Sequence, residues 1–479
     1  MGGNIRRALA TVSALTALVG AGVIGAGTSG AATRAPRAVP GTAMWVKRYT
    51  GFSTGSDAPA AVAVSPNGST VFVTGMTMTK ALVLEFATIA YNPATGAPKW
   101  VKLYTGPKDF YGDPTGSAAR SIAVSPNGKA VYVTGPSEGA VSTIDDYATV
   151  AYNAATGAQL WVKRYGAAGA YSSYSEPSSV VVNPNGTTVY VTGETGDGVS
   201  KWVYTTIAYK AATGAQLWIK HVGTAASLNM ANAAAVSPTG KTLYVTGSSL
   251  NANGTSSDYQ TVAYNAASGA QLWVRRYGST TASAVAKSVT VAPGGATVFV
   301  TGTSGHGYAT IAYNAATGAQ RWAKTYGVAS IDTGATSMVV SPTGKTLYVT
   351  GGSYATLYGS VQAYSTIAYN AASGAQLWVK RYWSSVDDHA NSVALNRAGT
   401  LVYVTGQSFG AHSGGDYATV AYNAATGAQR WVARYNGPAN NSDIACCVAV
   451  SPANGSVFVT GASIGATTGE DYVTVAYHG

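Results

Sequence analysis

The chain has 479 residues, 46% of them hydrophobic and only 10% charged, and a formal net charge of +11. That balance excludes an intrinsically disordered chain beyond the N-terminus, because disorder goes with low hydrophobicity and high net charge. Length alone suggests about three domains of roughly 150 residues, but a repeat running through the chain overrides that estimate.

Arg6 and Arg7 precede an uncharged apolar run from Ala8 to about Gly27, and small residues follow at Ser29-Gly30-Ala31-Ala32. This order reads as a signal peptide over residues 1–32, with residues 33–40 as a linker. A retained membrane anchor is the alternative, since the run is nearly long enough to span a bilayer; its glycines and small-residue exit favour cleavage. The stretch from Asn4 to Leu9 matches a twin-arginine export signal poorly, and no Cys follows the run, which excludes a lipid anchor there. The expected product is secreted, monomeric and without a transmembrane segment.

From residue 41 onward one unit recurs. Its Trp copies fall at Trp45, Trp100, Trp161, Trp218, Trp273, Trp322, Trp378 and Trp431, between 49 and 61 residues apart. In the copy over residues 121–165, residues 121–125 form a short apolar strand A. Pro126-Asn127-Gly128-Lys129 is a tight turn, and residues 131–135 are strand B, ending in Val-Thr-Gly. Residues 147–152 are strand C, residues 153–157 turn the chain, and residues 159–165 are strand D with the Trp and the cations. β-branched and aromatic residues in nearly continuous apolar runs suit strands covered on both faces. A period near 55 residues with four such strands is the signature of a β-propeller. Strand A, with the smallest side chains, is predicted at the central axis and strand D outside.

The Val-Thr-Gly copies at Gly75, Gly135, Gly193, Gly247, Gly302, Gly351, Gly406 and Gly461 count eight blades. The chain ends on a strand C at Val475-Ala476-Tyr477, and the mature chain begins with the Gly41-to-Trp45 half of the motif. The fold class expected is therefore all-β: an eight-bladed β-propeller of four-stranded antiparallel blades over residues 41–479, closed by the N-terminal strand completing the last blade. The A-to-B and C-to-D connections are short and alike. The B-to-C and D-to-A connections are long, different in each blade, and share one face, where binding sites are expected.

Much of the positive charge follows the Trp, at positions such as Lys47-Arg48, Lys163-Arg164 and Lys380-Arg381. Such a ring of cations reads either as protection of an outer edge strand or as adhesion to an anionic wall polymer or nucleic acid; no specific nucleic-acid partner is expected. The motif Ala-x-Asn-x-x-Thr-Gly-x-x-x-Trp resembles the tryptophan-docking motif of pyrroloquinoline-quinone dehydrogenases, with Asn where that family has Asp. The fuller unit, with Asp-Tyr-Ala-Thr before and Trp-Val-Lys-Arg-Tyr after, is similar to secreted bacterial β-propeller-repeat proteins. The resemblance implies the fold strongly and an activity weakly, because the docking motif also occurs in propellers that assemble outer-membrane proteins.

Candidate functional residues are few. The five His residues lack metal-ligand spacing, so no metal site is expected, and there is no nucleophile elbow or P-loop. Counted back from the turn Pro (Arg397 in one blade), one position at the entrance of strand A varies: Ala60, Arg120, Ser178, Asn232, Lys287, Thr336, Asn391 and Cys446. Arg120, Lys287, Asn232 and Asn391 are thus candidates at the channel mouth, with Asp113 or Glu138 as alternative partners for the cations. Trp202 and Trp383 stand outside the repeat, and Asp387, Asp388 and His389 form the densest ionisable cluster; Trp beside carboxylates suits a sugar ring. Some enzymes of the quinone family carry a vicinal disulfide, so Cys446–Cys447 is a candidate for one, although bonding strand neighbours distorts the backbone. All five Glu lie on or beside the divergent loops. The expectation is a non-catalytic secreted binding or scaffold module for an extracellular glycan, cell-wall polymer, protein or small anion, with no cofactor. A pyrroloquinoline-quinone and calcium-dependent dehydrogenase is the alternative, and a polysaccharide-cleaving propeller enzyme the third reading.

Overall fold

The computed structural model describes residues 38–479 except 53–54, 109–114, 140–144, 167–173, 197–201, 224–227, 252–253, 279–281, 306, 328–333, 355–360, 385–387 and 411–412. Those residues form eight four-stranded sheets, each antiparallel and in the order A–B–C–D. Blade 2 is typical, with strands Ser121–Val124, Ala130–Glu138, Asp145–Asn153 and Gln159–Tyr165. Each strand A packs against the strand A of the next blade in a closed cycle, so the eight of them ring the axis as their small side chains foretell. No helix among the described residues is long and apolar enough to cross a membrane.

Closure occurs as the two bookends require. The N-terminal strand Ala43–Tyr49 pairs antiparallel with Glu470–Tyr477, Val46 opposite Val475, in the sheet that contains Asp443–Val450 and Val457–Ile464. Each Trp then stacks between aromatic residues of its own blade and the next, as Trp161 does with Tyr132 and Tyr209 at ring separations of 5.8 and 6.1 Å. In seven of the eight the indole N–H donates to a carbonyl in the next docking turn, as Trp100 does to Ala154 at 3.0 Å and Trp161 to Ala211 at 2.9 Å. The turn Gly sits under that ring. A Cβ on Gly157, at φ +69°, would lie 2.7 Å from Trp100, so both conformation and contact exclude a side chain.

The Val-Thr-Gly motif does not end strand B; strand B of blade 2 runs three residues further, to Glu138. The Gly instead sits beside a β-bulge in strand A. In blade 4 the register slips between Ala231 and Ala233, leaving Asn232 as the extra residue, and a Cβ on the facing Gly247 would lie 1.9 Å from the Met230 carbonyl oxygen. Close backbone approach at a bulge is a known reason for Gly within a strand. The preceding Thr has a separate role. Thr134 Oγ1 meets Thr149 Oγ1 at 3.1 Å and donates to the Ala148 carbonyl, both fully buried, and the same pairing recurs at Thr192–Thr206 and Thr460–Thr474.

Candidate functional site

The bulge is what organises the divergent end of the channel. The variable positions noted in the sequence are the bulged residues: Ala60, Ser178, Asn232, Lys287, Thr336, Asn391 and Cys446 each lie at a register slip in strand A. A bulge re-aims its side chain, and several of these reach sideways to the next blade. Ser178 Oγ donates to Ala231 O at 2.7 Å, Asn232 Nδ2 to Ala286 O at 2.8 Å, Thr336 Oγ1 to Ala390 O at 2.9 Å and Asn391 Nδ2 to Ala445 O at 2.8 Å. The acceptor in each case is the residue just before the next bulge. Asn232 and Asn391 therefore latch blade to blade, a role the sequence did not suggest for them.

Cys446 and Cys447 are free thiols. Cys447 Sγ lies 3.1 Å from the Ala60 carbonyl, so the join between blades 8 and 1 is bridged from the residue after the bulge to the next bulged residue, one position along from the latches elsewhere. The neighbouring Cys447 and burial hold the Cys446 thiol well above its ordinary pKa, which keeps it protonated and a poor nucleophile.

The Asp387–His389 cluster divides. Asp387 lies outside the described residues. Asp388 is fully buried and accepts hydrogen bonds from the Ser384 hydroxyl and the Phe409 N–H, both at 3.0 Å. Asp57 and Asp443 hold the same place, three residues before the bulge, and likewise accept loop N–H groups from Gly51 and Gly437. These carboxylates pin the incoming loop. A comparison at that offset would have separated Asp388 from its neighbours. His389 begins strand A and is partly buried, whereas Trp383 is 53% exposed. Trp202 stacks on Tyr174 at 5.9 Å and 27°.

The repeated cations are also engaged. Arg164, Arg434 and Arg48 pair with Asp146, Asp416 and Asp471 of their own blades at 2.6 to 2.9 Å. The stem of Lys102 crosses the next blade's docking turn at Gly157. The Arg pairs use the Asp residues that precede the Tyr of strand C.

One group of residues that do not repeat lies around Arg120. This side chain, 49% exposed, donates through Nη2 to Glu176 of blade 3 at 2.9 Å, in place of Asp113, which lies outside the described residues, or Glu138. Glu176 stands directly opposite Glu194 in the register of strands Tyr174–Val182 and Thr188–Gly196. Glu194 is only 8% exposed. Burial first and the Glu176 charge second push its carboxyl up to about 7, with Arg120 opposing. Asp145, close by, is raised by burial and by Glu176 and Glu138. Arg120 also lines a cavity of about 540 Å³ with Ala58, Pro59, Ala60, Met76, Ala118, Ala119 and Ser178. Lys287, the other mouth cation, is exposed and lies three blades away. Sequence reasoning missed Glu176 and Glu194, because their opposition becomes visible only once the strand register is known.

The described residues do not bring together a donor set for a quinone and Ca²⁺ at this mouth. Among the described residues no three His, Cys, Asp or Glu side chains come together as a metal site. The two mouth amides latch blades, Asp57, Asp388 and Asp443 hold loops, and Glu176 faces Arg120.

The family described as outer membrane protein assembly factor BamB matches residues 40–286 and 258–477. No curated protein matches the sequence. Among solved structures, the Dos1 propeller aligns with a TM-score of 0.58 at 10% identity, over 91% of this chain and 96% of that one. The quinohemoprotein alcohol dehydrogenase ADHIIG from Pseudomonas putida HK5 aligns at 0.56 and 12% identity, over 91% and 76%. A europium-containing methanol dehydrogenase aligns at 0.52 and 12% identity, over 92% and 95%. At such identities these likenesses speak for the fold alone.

Proposed function

From the premise that this chain belongs to the outer membrane protein assembly factor BamB family, we propose that it is an exported, non-catalytic binding module whose divergent face takes an acidic ligand, either a glycan bearing carboxylates or a small anion. The observation that carries this reading is the division of labour among its polar side chains. Those repeated around the ring hold blades and loops together, whereas Arg120, which does not repeat, lines a cavity and pairs only with the partly exposed Glu176 of the next blade. A concave site with low-dielectric walls concentrates the field of such a cation. The exposed Trp383 adds an apolar contact elsewhere on the same face.

No cofactor is part of this proposal. The dehydrogenase alternative draws on the fold of ADHIIG and the methanol dehydrogenase, but Asp57, Asp388, Asp443 and Glu176 are engaged by loop N–H groups or by Arg120, and no metal-site cluster occurs among the described residues. The test is retention of the purified protein on immobilised polyuronate against neutral glucan, together with a dye-linked assay with pyrroloquinoline quinone, Ca²⁺ and alcohols. Binding to the acidic polymer without turnover is expected. Turnover dependent on the quinone, or equal retention on both polymers, would overturn the proposal.

A further inference from the structure

Among the described residues the Arg120 guanidinium makes one hydrogen bond, through Nη2, to a carboxylate that is itself 34% exposed. A guanidinium has five N–H donors, and exposed ion pairs of this kind are weak. Arg120 therefore has capacity for a second anion. The cavity it lines is otherwise apolar, with four alanines, a proline and a methionine against one serine hydroxyl. This combination suits a carboxylate joined to a compact apolar body better than a bare inorganic anion, which would leave those walls unmatched.

The second carboxylate of blade 3 gives the site a further property. Glu194 is more than nine-tenths buried and makes no hydrogen bond or ion pair among the described residues, while standing across the strand from Glu176. Like charges directly opposite one another destabilise a sheet. Arg120 is the cation that offsets them. An anion arriving at Arg120 adds a third negative charge and draws on the same guanidinium. The remaining groups that face this corner are Glu138 at the end of strand B and Asp145 and Asp146 at the start of strand C in blade 2. Tyr147 and Tyr204, the deeply buried hydroxyls beside Glu194, also face it. Asp146 is paired with Arg164, Glu138 accepts the Gly116 N–H, and burial raises both tyrosines far out of the neutral range. Asp145 is raised as well, but it lies on blade 2, whereas Glu194, raised to about 7 and directly opposite Glu176, is the group placed to take up a proton near neutrality.

We propose that the cavity beside Arg120 binds a small amphipathic carboxylate, and that binding is coupled to protonation of Glu194. This rests on the acidic-ligand reading above and names its ligand class. The proton comes from solvent and no covalent bond changes. Since Glu194 titrates near 7 without ligand, binding is independent of pH well below that value. Above it the dissociation constant rises, toward about tenfold per pH unit by linkage.

Isothermal titration calorimetry with benzoate, and benzyl alcohol as the neutral control, tests this on the full chain between pH 5.5 and 8.5. Benzoate should bind, the alcohol should not, and the affinity should weaken above pH 7. E194Q should keep benzoate binding and flatten its pH dependence, D145N should leave that dependence intact, R120A should abolish binding and R120K should restore part of it. Circular dichroism would confirm that each variant is folded. Binding unaffected by R120A, a pH dependence that survives E194Q, or equal binding of the alcohol would overturn the inference. Failure of benzoate alongside Arg120-dependent retention on polyuronate would overturn it while leaving the acidic-glycan reading intact.

Discussion

Seven of the docking turns are continuous chain, and the eighth is made where the two ends of the ring meet. In the continuous turn of blade 2 the Gly157 N–H donates to Asn153 O and the Asn153 N–H to Ala158 O, both at 2.8 Å. At the seam the Gly41 N–H donates to His478 O at 2.8 Å and the His478 N–H to Thr42 O at 3.0 Å, with Gly41 at φ +81°. The two backbone bonds and the left-handed Gly are thus rebuilt from separate segments. The stacking is rebuilt too, since Trp431 lies 5.7 and 6.1 Å from Tyr403 and Tyr477. What is lost is the carbonyl that receives the indole: Trp431 Nε1 is buried without a partner, whereas Trp100 Nε1 reaches Ala154 O. Docking therefore depends first on ring packing and the Gly beneath it, and the indole hydrogen bond is an addition that one turn in eight does without.

The largest effect should come from removing the seam altogether. Deleting residues 41–50 takes away strand D of blade 8, the stack of Trp45 on Tyr91 and Phe458, and the Arg48–Asp471 pair. Loss of a buried Trp alone costs about 3–5 kcal/mol, against a total stability on the order of 5–15 kcal/mol. Thermal unfolding should lose its cooperative transition. A truncated protein that melts at the wild-type temperature would mean that the ring does not need closure.

A smaller effect separates packing from hydrogen bonding. Trp100→Phe and Trp431→Phe remove similar ring area, but only the first leaves a carbonyl, Ala154 O, without its donor. An unsatisfied buried acceptor costs about 1–3 kcal/mol. Trp100→Phe should therefore destabilise by about 3 kcal/mol and Trp431→Phe by about 1 kcal/mol, read from guanidinium unfolding midpoints at unchanged slope. Equal losses would show that the indole hydrogen bond contributes nothing and that the seam is no weaker than any other turn.

The same contrast explains what was legible in the sequence. Whatever eight blades share was visible through repetition: the Trp period, the turn Gly, the small residues of strand A, and the unpaired halves that foretold closure at Trp45 and Tyr477. Repetition also misled. Val-Thr-Gly was read as the end of a strand because Gly commonly punctuates, although the bulge opposite requires it within one. Residues present once gave no such signal. Asp388 looked like part of an exposed cluster until burial placed it with Asp57 and Asp443, and the facing of Glu176 by Glu194 depends on a register that a β-bulge displaces. The proposed site draws on residues that do not repeat, where periodicity says least.

Blade 3 shows that continuous chain is not uniformly the stronger region. Its Glu194 is raised from an ordinary 4.5 to about 7, chiefly by burial. A carboxyl whose native pKa lies above its unfolded value binds more protons in the native state across that interval, so stability falls as pH rises from about 4.5 to about 7 and is level above it. The interval corresponds to about 1–2 kcal/mol, allowing for relaxation around the charge. Glu194→Gln keeps the shape and removes the charge. The variant should match wild type at pH 5, exceed it by about 1–2 kcal/mol at pH 8, and show a flatter stability profile between them, measured by urea unfolding at each pH. Asp145 and Asp443 are also raised by burial and contribute a slope of the same sign, so some pH dependence should remain in the variant. A profile parallel to wild type over the whole range would place the penalty on those two residues and remove blade 3 as a second weak point beside the seam.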